Sequence, residues 1–394
     1  MKKFLPLALI ACFFSLAAFP FDLQKLCRET EESRGLNFKS AVDVKIVSKE
    51  EMGKIIAGEL EREFPEKEFA AREKALKAFG LISPGTDLRK AMGRLLGGQV
   101  AGIYDPKEKK LYVLSEAKAP GDDPLFDLSQ AFDVREIFII HEMAHALADQ
   151  HFDLVKSLGL DEKGNDDRMA AAMALAEGDA TLTMFDAMAR RFGLENGDLA
   201  AMPDLMDGRS LVGEFLGEDV PKYLAETLLF SYLRGMSFVR EAAGGRREAL
   251  DRIYKNPPAS TEQVLHPGKY LKKDDQPRQV TVDDEKLPGA AAIYEGTWGE
   301  FATGLILEEW GADETSSLKA SEGWGGDRYV VFERKGGGLS FVWKTLWDTQ
   351  KDADEFRAAL SKNSSVSVSG RGAEVILRSI QVKNKNENAA KGDR

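Results

Sequence analysis

Cysteine is almost missing from this chain, with Cys12 and Cys27 the two examples in 394 residues. Cys12 lies in an apolar leader, so Cys27 is left without an intramolecular partner and a small disulfide-stapled scaffold is excluded. Positive charge is in the minority: 54 Lys and Arg face 65 Asp and Glu, for a net charge of −11. Phosphate contacts need clusters of Lys and Arg, so this balance argues against a nucleic-acid or anionic-membrane binder and suits basic or neutral partners. Past residue 19 no apolar run approaches the ~18 residues that cross a bilayer, so no membrane span is expected once the leader is gone. No repeat with a period of about 20–50 residues is visible either. What is present suffices for packed domains, since 43% of the residues are apolar. The length fits two or three domains of ~100–200 residues.

The N-terminus reads as a short basic start, Met1 to Lys3, followed by an apolar stretch from Phe4 to Phe19 with small residues at Ser15 and Ala17. That pattern predicts a signal peptide over 1–19 and an exported protein: periplasmic, in the cell envelope, or secreted. Leu9-Ile10-Ala11-Cys12 also has the form of a lipidation box, and an uncleaved anchor is a further alternative.

Along the body, residues 22–40 read as a polar linker or short helix, and Val42, Val44 and Ile46 alternate like a strand. Ser48 and Glu51 form a capping box for a helix running to about Phe64. Helical patterns follow near 66–80 and 86–97. Gln99 to Tyr104, a turn at 105–108, and Leu111 to Leu114 read as a β-hairpin. Longer helices are expected at 133–153, 166–192 with Gly193 as its cap, 220–242 and 246–255. The charged stretch Lys272 to Arg278 marks a boundary, after which strands are expected at 329–332, 339–347 and 366–382, with a helix at 352–360. The tail from Asn384 is polar and is expected to fray. The predicted class is α+β: a helix-rich unit over 20–275 with a small edge hairpin, then a smaller α+β unit over 276–394.

The chemistry concentrates in Ile139-Ile140-His141-Glu142-Met143-Ala144-His145-Ala146-Leu147-Ala148-Asp149-Gln150-His151. On a helix, His141 and His145 lie one turn apart on one face, where both imidazoles reach one metal ion. Glu142 sits about 100° round, beside the water such an ion would hold, as a built-in base. The competing reading is an ordinary amphipathic helix, but a bare histidine pair in a core needs partners. A catalytic zinc takes three protein ligands, and two residues compete for the third place. His151 would lie about 240° round from His145 and about 9 Å along a continuing helix, and Ala148 offers no glycine to turn the chain back. Glu177 is an acid inside an Ala, Met and Leu rich helix, and a buried carboxylate there calls for a cation. Asp149 and Asp179 are candidate acceptors for the outer N–H groups of the histidines, or else solvent-facing charges or caps.

His141-Glu142-Met143-Ala144-His145, followed by Ala146 and Asp149, resembles the active helix of thermolysin-like enzymes, and Glu177 resembles the third ligand of the gluzincin branch of the zincin metallopeptidases. His151-Phe152-Asp153, Glu177-Gly178-Asp179-Ala180-Thr181, Ser260 through Pro267, and Gly323-Trp324-Gly325-Gly326-Asp327-Arg328-Tyr329 resemble a poorly characterised group of predicted bacterial secreted metallopeptidases, over about residues 40–380. The resemblance implies Zn2+ on His141, His145 and Glu177, Glu142 as catalytic base, and a polypeptide substrate. The chain departs from thermolysin in a longer HExxH-to-Glu interval and in Thr181, where thermolysin has Asp.

A donor for the developing oxyanion is also needed. His266 is the first nominee, with Tyr270 and Tyr104 behind it, and a packing role before Pro267 is the alternative for His266. The hairpin around Tyr104 offers an edge strand to an extended peptide. The Gly323 to Tyr329 motif either lines a cleft or pins a strand to its own domain. Three functions stay open: an exported zinc peptidase, a non-catalytic envelope scaffold of zincin fold, and a zinc hydrolase of a non-peptide amide or ester. The sequence assigns no oligomeric state.

Overall fold

The computed structural model describes residues 21–97, 101–115, 134–159, 164–194, 220–273, 275–282, 286–360 and 363–379. The leader, the loop at 119–124 and the C-terminal tail lie outside the described residues. Fifteen described helices and two sheets make the fold mixed α+β. The first helix, α1 (Leu23–Arg34), buries Leu23, Leu26 and Cys27, so the segment expected as linker or short helix is a helix anchored in the core. Strand β1 (Asp43–Val47) leads to α2 (Lys49–Glu63), where Ser48 and Glu51 form the expected capping box. Helices α3 (Glu66–Phe79) and α4 (Leu88–Gly97) precede the hairpin β2 (Gly102–Asp105) and β3 (Lys110–Leu114).

Sheet order is β1-β3-β2, with β1 parallel and β2 antiparallel to β3. β2 is therefore an edge strand, and it lies against α5 (Val134–Phe152). After the short α6 (Leu154–Ser157), the long α7 (Asp166–Arg191) packs on both α5 and α1. The segment 222–243 is helical throughout, with α8 (Lys222–Leu229) and α9 (Gly235–Ala243) joined by a π-helical turn over Phe230–Arg234. Helices α10 (Arg247–Lys255), α11 (Thr261–Leu265) and α12 (Pro267–Lys272) complete the helical body. No described helix is long and apolar enough to cross a membrane.

The second sheet has strand order β4-β5-β6-β8-β7 and is antiparallel throughout. Its strands are β4 (Ala290–Gly296), β5 (Trp324–Arg334), β6 (Leu339–Trp347), β7 (Val366–Ser369) and β8 (Glu374–Ser379), with α13 (Gly299–Glu309), α14 (Glu314–Ser321) and α15 (Gln350–Leu360) packed around them. The single strand expected over 366–382 is instead a hairpin, because Gly370 and Gly372 take positive φ and turn the chain back.

The largest core crosses the boundary expected at 275/276. Phe79 of α3 stacks on Phe341 at 4.0 Å and meets Trp298, Tyr329 and Trp343 edge-on. Helices α3 and α4 thus supply apolar surface to the C-terminal sheet. Phe79→Ala is expected to lower the unfolding free energy by about 3–5 kcal/mol in denaturant titration. A loss below ~1 kcal/mol would show that the aromatic cluster does not join the two parts.

A second tie is Asp167, at the start of α7, whose backbone N–H donates to Thr297 O at 3.2 Å, while its carboxylate accepts from the backbone N–H and hydroxyl of Thr261. Burial pushes this carboxyl up to about 8, against the Thr261 bonds, with Asp327 and Glu300 adding repulsion. The folded chain then holds a proton that the unfolded chain releases near the ordinary carboxylate value. Its contribution to stability is fully present below that ordinary value and is lost as pH rises towards 8, by ~1 kcal/mol per unit. Asp167→Asn should remove this slope, which urea unfolding between pH 5 and 8 reads directly; parallel curves for the two proteins would contradict it.

Candidate metal centre

Helix α5 begins with Ile137, Ile139 and Ile140 buried against α1 and β3, which fixes the face on which His141 and His145 project. Across from them α7 presents Glu177. The His141 and His145 Nε2 atoms are 3.1 Å apart, and Glu177 Oε2 lies 3.1 Å from the first and 3.4 Å from the second. His141 is buried, and the side chains of His145 and Glu177 are only 12% and 14% exposed. Three lone-pair atoms meeting this closely, two of them ring nitrogens aimed at each other, form a donor set that a divalent cation satisfies. The three groups are also strongly coupled electrostatically. Burial opposes charge on His145, but the Glu177 carboxylate outweighs it and pushes the imidazole up to about 9. Burial likewise raises Glu177, yet His145 and His141 prevail and hold it well below the usual carboxylate range. The donor types and spacing fit zinc.

The placement of Glu177 follows from its neighbour. A Cβ on Gly178 would overlap the backbone of Gly235, and a Cβ on Gly235 would overlap Ala174 O. Two glycines thus let α7 and the 222–243 segment touch backbone to backbone beside the cluster. That crossing brings Tyr232 of the π-helical turn onto the site. Its ring stacks on His141 with centroids 5.5 Å apart, and its hydroxyl stands within electrostatic reach of the Glu177 and Glu142 carboxylates. Burial and the charges of Glu177 and Glu142 push the phenol well above its ordinary value, so it stays an O–H donor. Tyr232 was not among the residues expected from sequence. Its one trace there is a glycine at 235 in an otherwise helical run, which signals close approach but names no partner.

Glu142 stands one position round from His141 and outside the three-atom convergence. Its Oε2 accepts a 2.8 Å hydrogen bond from the backbone N–H of Tyr104, on the outer edge of β2. Burial raises its carboxyl, while His141 and His145 pull it down.

The other expected residues are placed as follows. His151 stays on α5 and its Nε2 meets Asn37 O at 2.8 Å, away from the cluster of His141, His145 and Glu177. Asp149 is held by Tyr104 Oη at 2.6 Å, Lys109 Nζ at 2.7 Å and the N–H of Leu154, with no hydrogen bond to either histidine among the described residues. Asp179 pairs with the buried Arg34 of α1, whose Nε lies 2.7 Å away. His266 caps the junction of α11 and α12 and bonds Glu300 of α13 at 2.7 Å, where that carboxylate pushes the imidazole up against the cost of burial. Among the described residues no hydrogen bond or ion pair joins His266 to His141, Glu142, His145 or Glu177. Tyr270 donates to Asn256 O. A second acidic group, Glu262, Asp275 and Asp348, is gathered around the Lys269 ammonium at 2.6, 2.6 and 2.8 Å, so a cation from the chain already stands among them.

A family model described as a domain of unknown function (DUF8575) matches residues 286–389. That stretch contains the five-stranded sheet and α13 to α15, and the His141, His145 and Glu177 cluster lies outside it. No curated protein and no solved structure matches the chain.

Proposed function

We propose that the chain is an exported, zinc-dependent metallopeptidase acting on polypeptide substrates. The observation that carries this reading is the convergence of His141, His145 and Glu177 beside Glu142, which is held by the Tyr104 N–H on the outer edge of β2. When bound there, zinc supplies the Lewis acidity that polarises a carbonyl and lowers the pKa of water towards ~7. Glu142 takes the proton of the attacking water and returns it to the leaving nitrogen. Tyr232 donates a hydrogen bond to the oxygen on which negative charge develops, the role for which sequence had nominated His266. The edge of β2, paired among the described residues only with β3, gives an extended peptide a strand to pair with and lays its backbone beside Glu142. The signal pattern at Met1 to Phe19 supports export.

The test is cleavage of a diverse peptide library by the purified protein, lost on chelation and restored by zinc. A metal-loaded protein that cleaves none of them would favour the scaffold reading. Turnover of small amides or esters without peptides would favour the non-peptide hydrolase.

A further inference from the structure

The Gly323 to Tyr329 motif takes no part in the metal centre. In the structure it opens β5 and forms one wall of a cavity of about 480 Å³, within the ~300–1,000 Å³ range of small-molecule sites. Arg278, Thr281, Asp167, Thr297, Asp327 and Arg328 are among its lining residues. The cavity is separate from the metal centre, since Asp167 precedes Glu177 on α7 by roughly 15 Å of helix axis.

The charges lining it differ in how far they are already used. Asp327 accepts from the backbone N–H groups of Trp298 and Gly299 and from the indoles of Trp324 and Trp343. Arg328 donates to Gly164 O and to Glu295, each at 2.6 Å. Arg278 is the exception. Its side chain makes no hydrogen bond among the described residues, and its one ion pair is a loose 3.7 Å contact with Asp348, whose Oδ2 already holds Lys269.

The position of Arg278 is nevertheless built. Its backbone N–H donates to Gly325 O at 2.7 Å. A Cβ on Gly325 would overlap the guanidinium, and a Cβ on Gly326 would overlap Arg278 O. The glycine pair therefore leaves room for the arginine to lie on β5 with its fork of N–H donors uncommitted. Beside it, Asp167 uses Oδ1 for Thr261 and has no partner for Oδ2 among the described residues. With its carboxyl pushed up to about 8, it is a protonated donor near neutral pH and not a competing anion.

We infer that this cavity is a carboxylate-binding site anchored by the Arg278 guanidinium. The planar fork matches a carboxylate bidentately. The carboxylate can come from the end of a peptide chain or from a free small organic acid.

Calorimetric titration of the full chain with N-acetyl-alanyl-alanine, its C-terminal amide and N-acetylglycine tests the assignment and separates the sources. Both acids should bind at least tenfold more tightly than the amide. Equal affinity for the two acids points to a free acid, and tighter binding of the dipeptide points to a chain end. Arg278→Gln, at a half-exposed site, should weaken acid binding at least tenfold with an unchanged melting temperature, and Arg278→Lys should fall between. Gly325→Ala should weaken it by displacing the guanidinium. Equal binding of acid and amide, no binding of either acid, or wild-type affinity in Arg278→Gln would overturn the proposal; the last would place any bound acid at the metal centre.

Discussion

Glu142→Gln is expected to reduce peptide hydrolysis by about 10²–10⁴-fold, the usual worth of a positioned general base. Metal content should be unchanged, because Glu142 stands outside the convergence of His141, His145 and Glu177. The substitution is conservative where it matters for structure: an amide oxygen still accepts the Tyr104 N–H, which the carboxylate takes at 2.8 Å. What it removes is the ability to take and return a proton. The loss should therefore fall on kcat, with KM nearly as in the wild type. Full activity in this variant would remove Glu142 from the chemistry, and loss of metal would make it a ligand.

Tyr232→Phe should lower kcat by about 10²–10³-fold, as removal of one oxyanion donor does. The phenyl ring keeps the stacking on His141 and loses only the hydroxyl that faces the Glu177 and Glu142 carboxylates. Metal content and melting temperature serve as controls, since both should stay near wild type. The same measurements on His266→Ala discriminate between the two nominees. His266 bonds Glu300 instead of His141, His145 or Glu177, so its loss should act on stability and leave kcat within a few-fold of wild type.

The parts of the site that were legible in the sequence are the local ones. His141, Glu142 and His145 are fixed relative to one another by helix geometry alone, and α5 places them accordingly. Glu177 could be nominated because an acid in an apolar helix is out of place, and the structure brings it to the histidines. Tyr232 could not, because its position depends on two helices meeting at Gly178 and Gly235, which are remote in sequence. Asp149 and Asp179 illustrate the same difficulty from the other side. Both lie on the helices that carry His141, His145 and Glu177, but their bonds go to Lys109, Tyr104 and Arg34, contacts that no helical periodicity encodes. At the level of fold, the capping box and the hairpin ahead of α5 were readable from turn and cap chemistry. The sharing of α3 and α4 with the C-terminal sheet was not, since an apolar helix face does not state which sheet will cover it.

The metal content of the purified chain, by elemental mass spectrometry beside His145→Ala, Glu177→Ala and His151→Ala variants checked for folding, bears most directly on the metal centre. The geometry predicts one zinc per chain in the wild type and in His151→Ala, and loss of zinc from folded His145→Ala and Glu177→Ala. A folded wild-type chain that takes up no zinc, or one that loses it with His151 while keeping it without Glu177, would contradict the assignment.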